Sequence, residues 1–338
     1  MKTILISQPK HIDIIEEPIP QPKEGETLLK MVVGGICGSD LGVYRGTMAY
    51  GAYPRIPGHE FAAQIVKING DSMGFSKGQL VTANPYFNCG HCYSCQRGFV
   101  NCCTDNKTMG VQRDGAFSEY FVVPTNRLVD SGGLPAETLA VIEPFCISYH
   151  GIQRADIKPG ENVLIIGGGT IGILALLAAK TKGAKVYVCD VAQEKLDKAL
   201  TFGADGILLN QNPEQFKDKV NALTNGNGFD VSVEAVGMPS TFQNAVDAAA
   251  YRGRVILLGI SKRSLDFNFT VIQTKELSVM GSRNAFTQDF KDLIDLVKRE
   301  NIDLQKVVTN SYHFTEAETA FHDFDHNQGE MLKVSLRF

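Results

Sequence analysis

The amino-acid sequence predicts an α/β protein that combines a β-rich part with a doubly wound parallel sheet, and three observations carry that prediction. Residues 1 to about 148 hold short strand-like runs punctuated by Gly, Pro and Asn. From about 160 to 282, short Val/Ile/Leu runs alternate with helix-length segments, as buried parallel strands with crossover helices do. A glycine-rich turn, Gly167-Gly168-Gly169-Thr170-Ile171-Gly172, falls directly after the first of those runs.

In chain order, Thr27–Val33, Phe61–Ile68 and Ala116–Val123 are the expected strands of the first part. The expected parallel strands are Asn162–Ile166, Lys185–Cys189, Gly206–Leu209, Asp230–Glu234, Arg254–Leu258 and Leu277–Met280. After about residue 283 a helix is predicted over Thr287–Glu300 and a strand over Leu332–Leu336, a tail that closes back onto the N-terminal part. At about 100–200 residues per domain, 338 residues suggest two domains.

Charge narrows the function classes: 33 Lys+Arg against 37 Asp+Glu leave a net charge of −4 with no strong basic run, which argues against binding nucleic-acid phosphates or anionic lipid. An apolar fraction of 43% argues against disorder. The uncharged run Asn162–Ala179 approaches bilayer-spanning length, but Gly167, Gly168 and Gly169 break it into strand, turn and helix. The apolar stretch at the N-terminus is too short for a signal peptide and soon meets Glu16 and Glu17. The expectation is a soluble cytoplasmic protein with no membrane and no nucleic-acid partner.

Each glycine of the turn has a mechanical job in binding a dinucleotide: the tight bend, close backbone approach to a pyrophosphate, and helix–sheet packing. Asp190 follows Gly172 by 18 residues, close to the spacing of a carboxylate that accepts hydrogen bonds from the adenosine ribose. It would repel a 2′-phosphate, and Val191, Ala192, Gln193 and Glu194 offer no arginine to hold one, so NAD is favoured over NADP.

Five of the eight cysteines lie between Cys89 and Cys103, and in a long chain without an export signal such clustering favours metal thiolates over disulfides. Cys89-x2-Cys92-x2-Cys95-x7-Cys103 fits a closed, structural zinc site, although spacing alone leaves Cys102 and Cys103 interchangeable. A redox pair is the alternative, and a nucleic-acid zinc ribbon is disfavoured by the few basic residues of the loop. A dispersed set comprises Cys37, His59, Glu60 and Glu143, a mixture of thiolate, imidazole and carboxylates that suits a catalytic zinc with an open position. Taken singly, each of these residues has a bland explanation as a core or surface side chain.

With Gly35-Ile-Cys37-Gly-Ser39-Asp40, Pro57-Gly-His59-Glu60, the four-cysteine lobe, Glu143-Pro144 and Gly167 to Gly172 with Asp190 all in order, the chain resembles the zinc-dependent medium-chain dehydrogenases over essentially its whole length. The nearest branch comprises polyol and sugar-acid enzymes, including sorbitol, threonine, galactitol-phosphate and L-gulonate or L-galactonate 5-dehydrogenases. The resemblance implies a GroES-like catalytic domain, residues 1–148 and 283–338 with a structural zinc lobe at 86–106, around an inserted Rossmann NAD-binding domain, residues 149–282. It also implies an active site in the cleft between them and a homodimer or homotetramer.

Carried over residue by residue, the resemblance makes Cys37, His59 and either Glu60 or Glu143 the catalytic zinc ligands, the two glutamates trading places through a water. It makes Ser39 the hydroxyl that relays the alcohol proton and Asp40 the carboxylate that orients His59. It selects Cys103 as the fourth structural ligand. It assigns Gly167, Gly169, Thr170, Ile171, Gly172, Asp190, Lys195, Leu258, Gly259, Ile260 and Ser282 to the cofactor, and Arg283 with Asn284 to the substrate. Gly42 stands where many relatives have histidine, and Cys146 and Tyr149 replace smaller residues.

The implied reaction is hydride transfer between a secondary alcohol and NAD, with zinc polarising the hydroxyl. A guanidinium at Arg283 suits a carboxylate gripped by two hydrogen bonds, so the expected substrate is a hexonate such as L-gulonate or L-galactonate. The alternatives are a neutral polyol or sugar-alcohol phosphate, and a non-enzymatic nucleotide- and zinc-binding regulator. The last is disfavoured because Cys37, Ser39, His59, Glu60 and Glu143 are all present.

Overall fold

The computed structural model describes residues 1–48, 51–327 and 329–338. They form two compact units, Met1–Pro144 with Asn284–Phe338, and Phe145–Arg283. The first boundary comes a few residues before the 148 read from the sequence. It falls inside a continuous helix, Ile142–Ala155, so no Gly- or Pro-rich linker marks it.

The first unit is built on a seven-stranded sheet whose order is Val308–His313, Lys333–Arg337, Glu26–Ile36, Glu60–Asn69, Leu80–Ala83 and Leu128–Asp130, with Tyr120–Pro124 also pairing to Glu26–Ile36. Glu26–Ile36 is the hub: its end at Gly35 lies between Ser335 on one side and Glu60 on the other, both antiparallel. Gly35 makes that junction feasible, because a Cβ there would stand 2.3 Å from a Glu60 carboxylate oxygen. Beneath the sheet, Leu29, Met31, Phe61, Phe117, Phe321 and Leu336 are among the buried core residues. Each such side chain contributes about 1.5–3 kcal/mol when fully buried.

The strand expected over Ala116–Val123 begins only at Tyr120. Residues before it spend their backbone groups elsewhere: Ala116 and Phe117 donate to Gly58 and Pro57, and the Phe117 carbonyl accepts from Ile4. The predicted tail helix occurs as Thr287–Arg299, with Phe290, Leu293, Ile294 and Val297 buried and the Asp289 carboxylate accepting the Phe286 N–H at its start. This is an amphipathic helix with a back-reaching acid at the third position.

The second unit is a six-stranded parallel sheet in the order Gly206–Leu209, Lys185–Asp190, Asn162–Ile166, Phe229–Glu234, Ala249–Leu257 and Ser278–Gly281. In chain order this is 3-2-1-4-5-6, the doubly wound arrangement, whose switch point lies beside Asn162–Ile166. All six expected strands occur, within a few residues of the expected bounds. The helix Thr170–Lys180 is apolar nearly all round and buries Gly172, Ile173, Leu174 and Leu176, as a helix covered on most sides must. Among the described residues no helix is long and apolar enough to cross a membrane.

Candidate metal and cofactor sites

Three elements of the first unit bring Cys37, His59 and Glu60 together, with one ligand atom from each within 4.8 Å of the others. Cys37 follows the last residue of the hub strand, Ile36, and is the extended N-cap of the helix Gly38–Tyr44. The turn is held by Asp40, whose carboxylate accepts the Cys37 N–H at 3.0 Å and the Gly58 N–H at 3.1 Å. One buried carboxylate thereby ties the cysteine loop to the loop that carries His59.

The His59 ring lies with Nε2 3.5 Å from the Ser39 hydroxyl and Nδ1 3.8 Å from Asp40. Burial works against its cation, but Cys37 and Asp40 outweigh burial and hold its pKa well above the ordinary value. Burial raises Asp40, partly offset by His59 and the two backbone donors. His59 Nδ1 is buried and has no hydrogen-bond partner among the described residues. Nδ1 faces Asp40, so the ring edge that remains is Nε2, and an imidazole nitrogen, a thiol and a carboxylate gathered within 4.8 Å of one another are a donor set that fits a zinc ion.

The two glutamates are not equivalent. Glu60 belongs to the three-residue cluster and is clamped by Lys333, whose ammonium donates to both carboxylate oxygens at 2.7 Å. Glu143 stands outside that cluster and accepts a hydrogen bond from the Tyr86 hydroxyl. Burial pushes Glu143 up to about 7, with Glu60 adding to the rise and His59 opposing it. Neither Lys333 nor Tyr86 was singled out by sequence reasoning. The available signal for Lys333 was a lone lysine in a run whose neighbours Leu332, Val334, Ser335 and Leu336 are all buried.

Cys89, Cys92, Cys95 and Cys103 form the second cluster. Cys103 is buried while Cys102 is exposed, which separates the pair that spacing left open. The Cys89 N–H donates to the Cys103 sulfur at 3.2 Å and the Cys92 N–H to the Cys89 sulfur at 3.4 Å, the backbone-to-sulfur pattern that favours thiolates. The backbone N–H groups of Thr104 and Cys95 bring Cys92 down to about 5, whereas burial pushes Cys103 up to about 11. A divalent cation held by all four sulfurs removes that second cost. Arg127 braces the lobe through the Tyr86 carbonyl and Asn88.

In the second unit the expected cofactor residues gather at the carboxyl end of the parallel sheet. Gly167 takes φ +110°, and a Cβ on Gly172 would lie 1.7 Å from the Gly167 carbonyl oxygen, so this turn admits only glycine at both places. Gly169 is the N-cap of the helix Thr170–Lys180 and no side-chain cap bonds to the first helix amides, which suits an anion. Asp190 accepts from the N–H groups of Gly168, Val191 and Ala192, which fix its carboxylate beside the turn, and Lys195 lies over Gly168.

Leu258 and Gly259 donate to the Glu234 carbonyl, and Ser282 donates to Leu257. Ile260 is 91% exposed and Val236 44%, apolar faces at the strand ends, while the Ser282 hydroxyl is buried without a partner among the described residues. These features fit a dinucleotide. A cavity of about 350 Å³ lies to one side, lined by Gly237, Met238, Phe242, Gly259 and Phe267 among others, and shares only Gly259 with the expected cofactor set.

Arg283 is exposed immediately after the edge strand, at the same end of the sheet. Asn284 adopts φ +50° and gives its amide to the Asn101 carbonyl at 3.2 Å, next to the cysteine lobe.

A family model described as zinc-binding dehydrogenase matches residues 170–299, and one described as alcohol dehydrogenase GroES-like domain matches residues 23–135. The L-galactonate-5-dehydrogenase of Escherichia coli K12 is 34% identical over 339 residues, 100% of this chain and 99% of its own length. The chain belongs to the zinc-dependent medium-chain alcohol and polyol dehydrogenases. This dehydrogenase is accordingly a zinc-containing, NAD- or NADP-linked enzyme acting on CH–OH donors, with the GroES-like and Rossmann domains of its family.

Its structure is similar to that of a short chain alcohol dehydrogenase from E. coli CFT073 complexed with NADH, at a TM-score of 0.91 and 33% identity over 100% of this chain and 99% of that one. It is also similar to the L-idonate 5-dehydrogenase of E. coli K-12, at a TM-score of 0.88 and 29% identity over 100% and 98%.

Proposed function

We propose that this dehydrogenase oxidises a secondary hydroxyl of a hexonate such as L-gulonate or L-galactonate, with NAD as acceptor. The observation that carries the reading is Arg283, an exposed guanidinium directly after Ser278–Gly281, at the end of the parallel sheet where the dinucleotide residues gather. A planar fork of donors suits a carboxylate better than it suits a hydroxyl. The substrates named for the L-galactonate and L-idonate relatives both carry a carboxylate.

Cys37, His59 and either Glu60 or Glu143, exchanging at one position, are the proposed ligands of the catalytic zinc, and the four clustered cysteines those of the structural one. When bound, zinc supplies Lewis-acid polarisation of the hydroxyl and NAD supplies the hydride acceptor. Ser39 relays the departing hydroxyl proton, its oxygen accepting that proton as its own O–H proton passes onward to bulk water, and its side chain lies beside His59 Nε2. Asp40 fixes the ring of His59 and the loop of Cys37, so that the ligands keep their geometry through turnover.

Arg283→Ala is expected to raise KM for hexonates about tenfold or more while changing KM for hexitols little, since only the former lose a charge-assisted pair. Initial rates of NAD reduction over hexonates, pentonates, hexitols, hexitol phosphates and threonine measure this, and equal losses on acids and polyols would remove the carboxylate reading. Asp190→Ala is expected to shrink the preference for NAD over NADP by about tenfold, the value of one or two hydrogen bonds to a charged group. The ratio of kcat/KM for the two cofactors reports it, and an unchanged ratio would count against a ribose role for Asp190.

A further inference from the structure

Lys333 enters the ligand cluster from the C-terminal strand, far from every motif that identifies the family. Its ammonium donates to both Glu60 oxygens at 2.7 Å and to the Ile36 carbonyl at 3.2 Å, so its three N–H groups have acceptors. Glu60 is 0% exposed and Lys333 4%. Burial opposes the ammonium, but Glu60, followed by Cys37 and Glu143, outweighs it and keeps the pKa above the ordinary lysine value.

Stability does not account for the pair, because buried ion pairs are commonly no more stabilising than apolar side chains of equal volume. Placement is the better account. A fixed positive charge on a metal-binding carboxylate competes with a divalent cation for the same lone pairs and repels it across a low-dielectric interior.

We propose that Lys333 is a positioning residue for the catalytic metal: by holding both oxygens of Glu60, it restrains that carboxylate from closing on the ion and keeps one coordination position exchangeable. The inference rests on the reading of a zinc at Cys37 and His59 with Glu60 and Glu143 as its alternative carboxylates. Glu143, which Tyr86 rather than a cation holds, is the carboxylate left free to exchange at that position. Metal affinity in the wild type is thereby kept below what the ligand set alone would provide.

Zinc binding is read by equilibrium competition with a chromophoric chelator, the Cys37→Ser variant giving the baseline for the four-cysteine ion. Lys333→Met is expected to bind the additional zinc about tenfold more tightly than the wild type, the low end of the range for partners of metal ligands. Its cobalt-substituted form is expected to show displaced d–d bands as Glu60 joins the ligand shell. In a Glu60→Gln background the same change should leave affinity and spectrum unmoved. Where Lys333→Met does not fold, Lys333→Gln, which keeps an amide donor without the charge, is expected to move affinity in the same direction. Unchanged or looser binding in the folded variant, or equal shifts with and without Glu60, would overturn the proposal. A wild type that binds no more zinc than Cys37→Ser would instead remove the catalytic-zinc reading beneath it.

Discussion

Cys37→Ala abolishes NAD reduction, with a loss expected to exceed about a hundredfold, because removal of a direct ligand costs more than removal of an outer-shell partner. The fold survives: the residue is half-buried, its backbone N–H still donates to Asp40, and the helix Gly38–Tyr44 keeps its start. The measurement is kcat/KM with metal content and thermal unfolding on the same preparation. The expected outcome is one metal equivalent lost, activity lost, and an unfolding temperature close to that of the wild type. Full activity in protein stripped of this ion would sink the catalytic-zinc reading. Asp40→Asn is milder by comparison, since an amide oxygen can still accept one of the two backbone donors that tie the Cys37 and His59 loops together.

The second large effect is on stability. Cys103→Ala is expected to lose the other metal equivalent and about 4 kcal/mol or more, the upper range for single substitutions, because ion binding in such a loop is part of its folding energy. At about 2–4 °C per kcal/mol for a domain of this size, unfolding should fall by about 10 °C. The neighbouring Cys102→Ala is the internal control. Its side chain is exposed and outside the sulfur cluster, so a change within about 0.5 kcal/mol is expected. Calorimetry and metal analysis on the pair distinguish the assignments, and equal losses from both would mean that Cys102 can serve as ligand.

How much of this was legible in advance depends on sequence distance. The glycine turn needed only its own residues and the strand before it, since the clash that forces Gly172 is with Gly167 five positions away. The cysteine lobe needed only a loop, and its one ambiguity, Cys102 against Cys103, was a matter of which neighbour turns inward. The six parallel strands were legible because buried strands are apolar throughout. The start of the expected strand Ala116–Val123 was misread because Ala116 and Phe117 are buried with their backbone groups going to Gly58, Pro57 and Ile4, and Ser118 makes only an isolated bridge to Thr3. The boundary between the two compact units carries no linker signal in the sequence, because a helix runs through it.

The sequence by itself determined the chemistry on offer: thiols, an imidazole and carboxylates in a recognisable order, a glycine-rich turn between a strand and a helix, and an acid, Asp190, at the end of the next strand. Those features are local, and local spacing is enough to state them. Only the tertiary structure decided how the two glutamates differ. Glu143 meets Tyr86 across 57 residues, and Glu60 meets Lys333 across 273. Both meetings depend on how distant segments are brought together, the second on the register by which the C-terminal strand pairs with the hub at Gly35 and Ile36. Such pairing is selected by the burial of a whole sheet face rather than by any short motif, so the ion pair on Glu60 is a property of the assembled core.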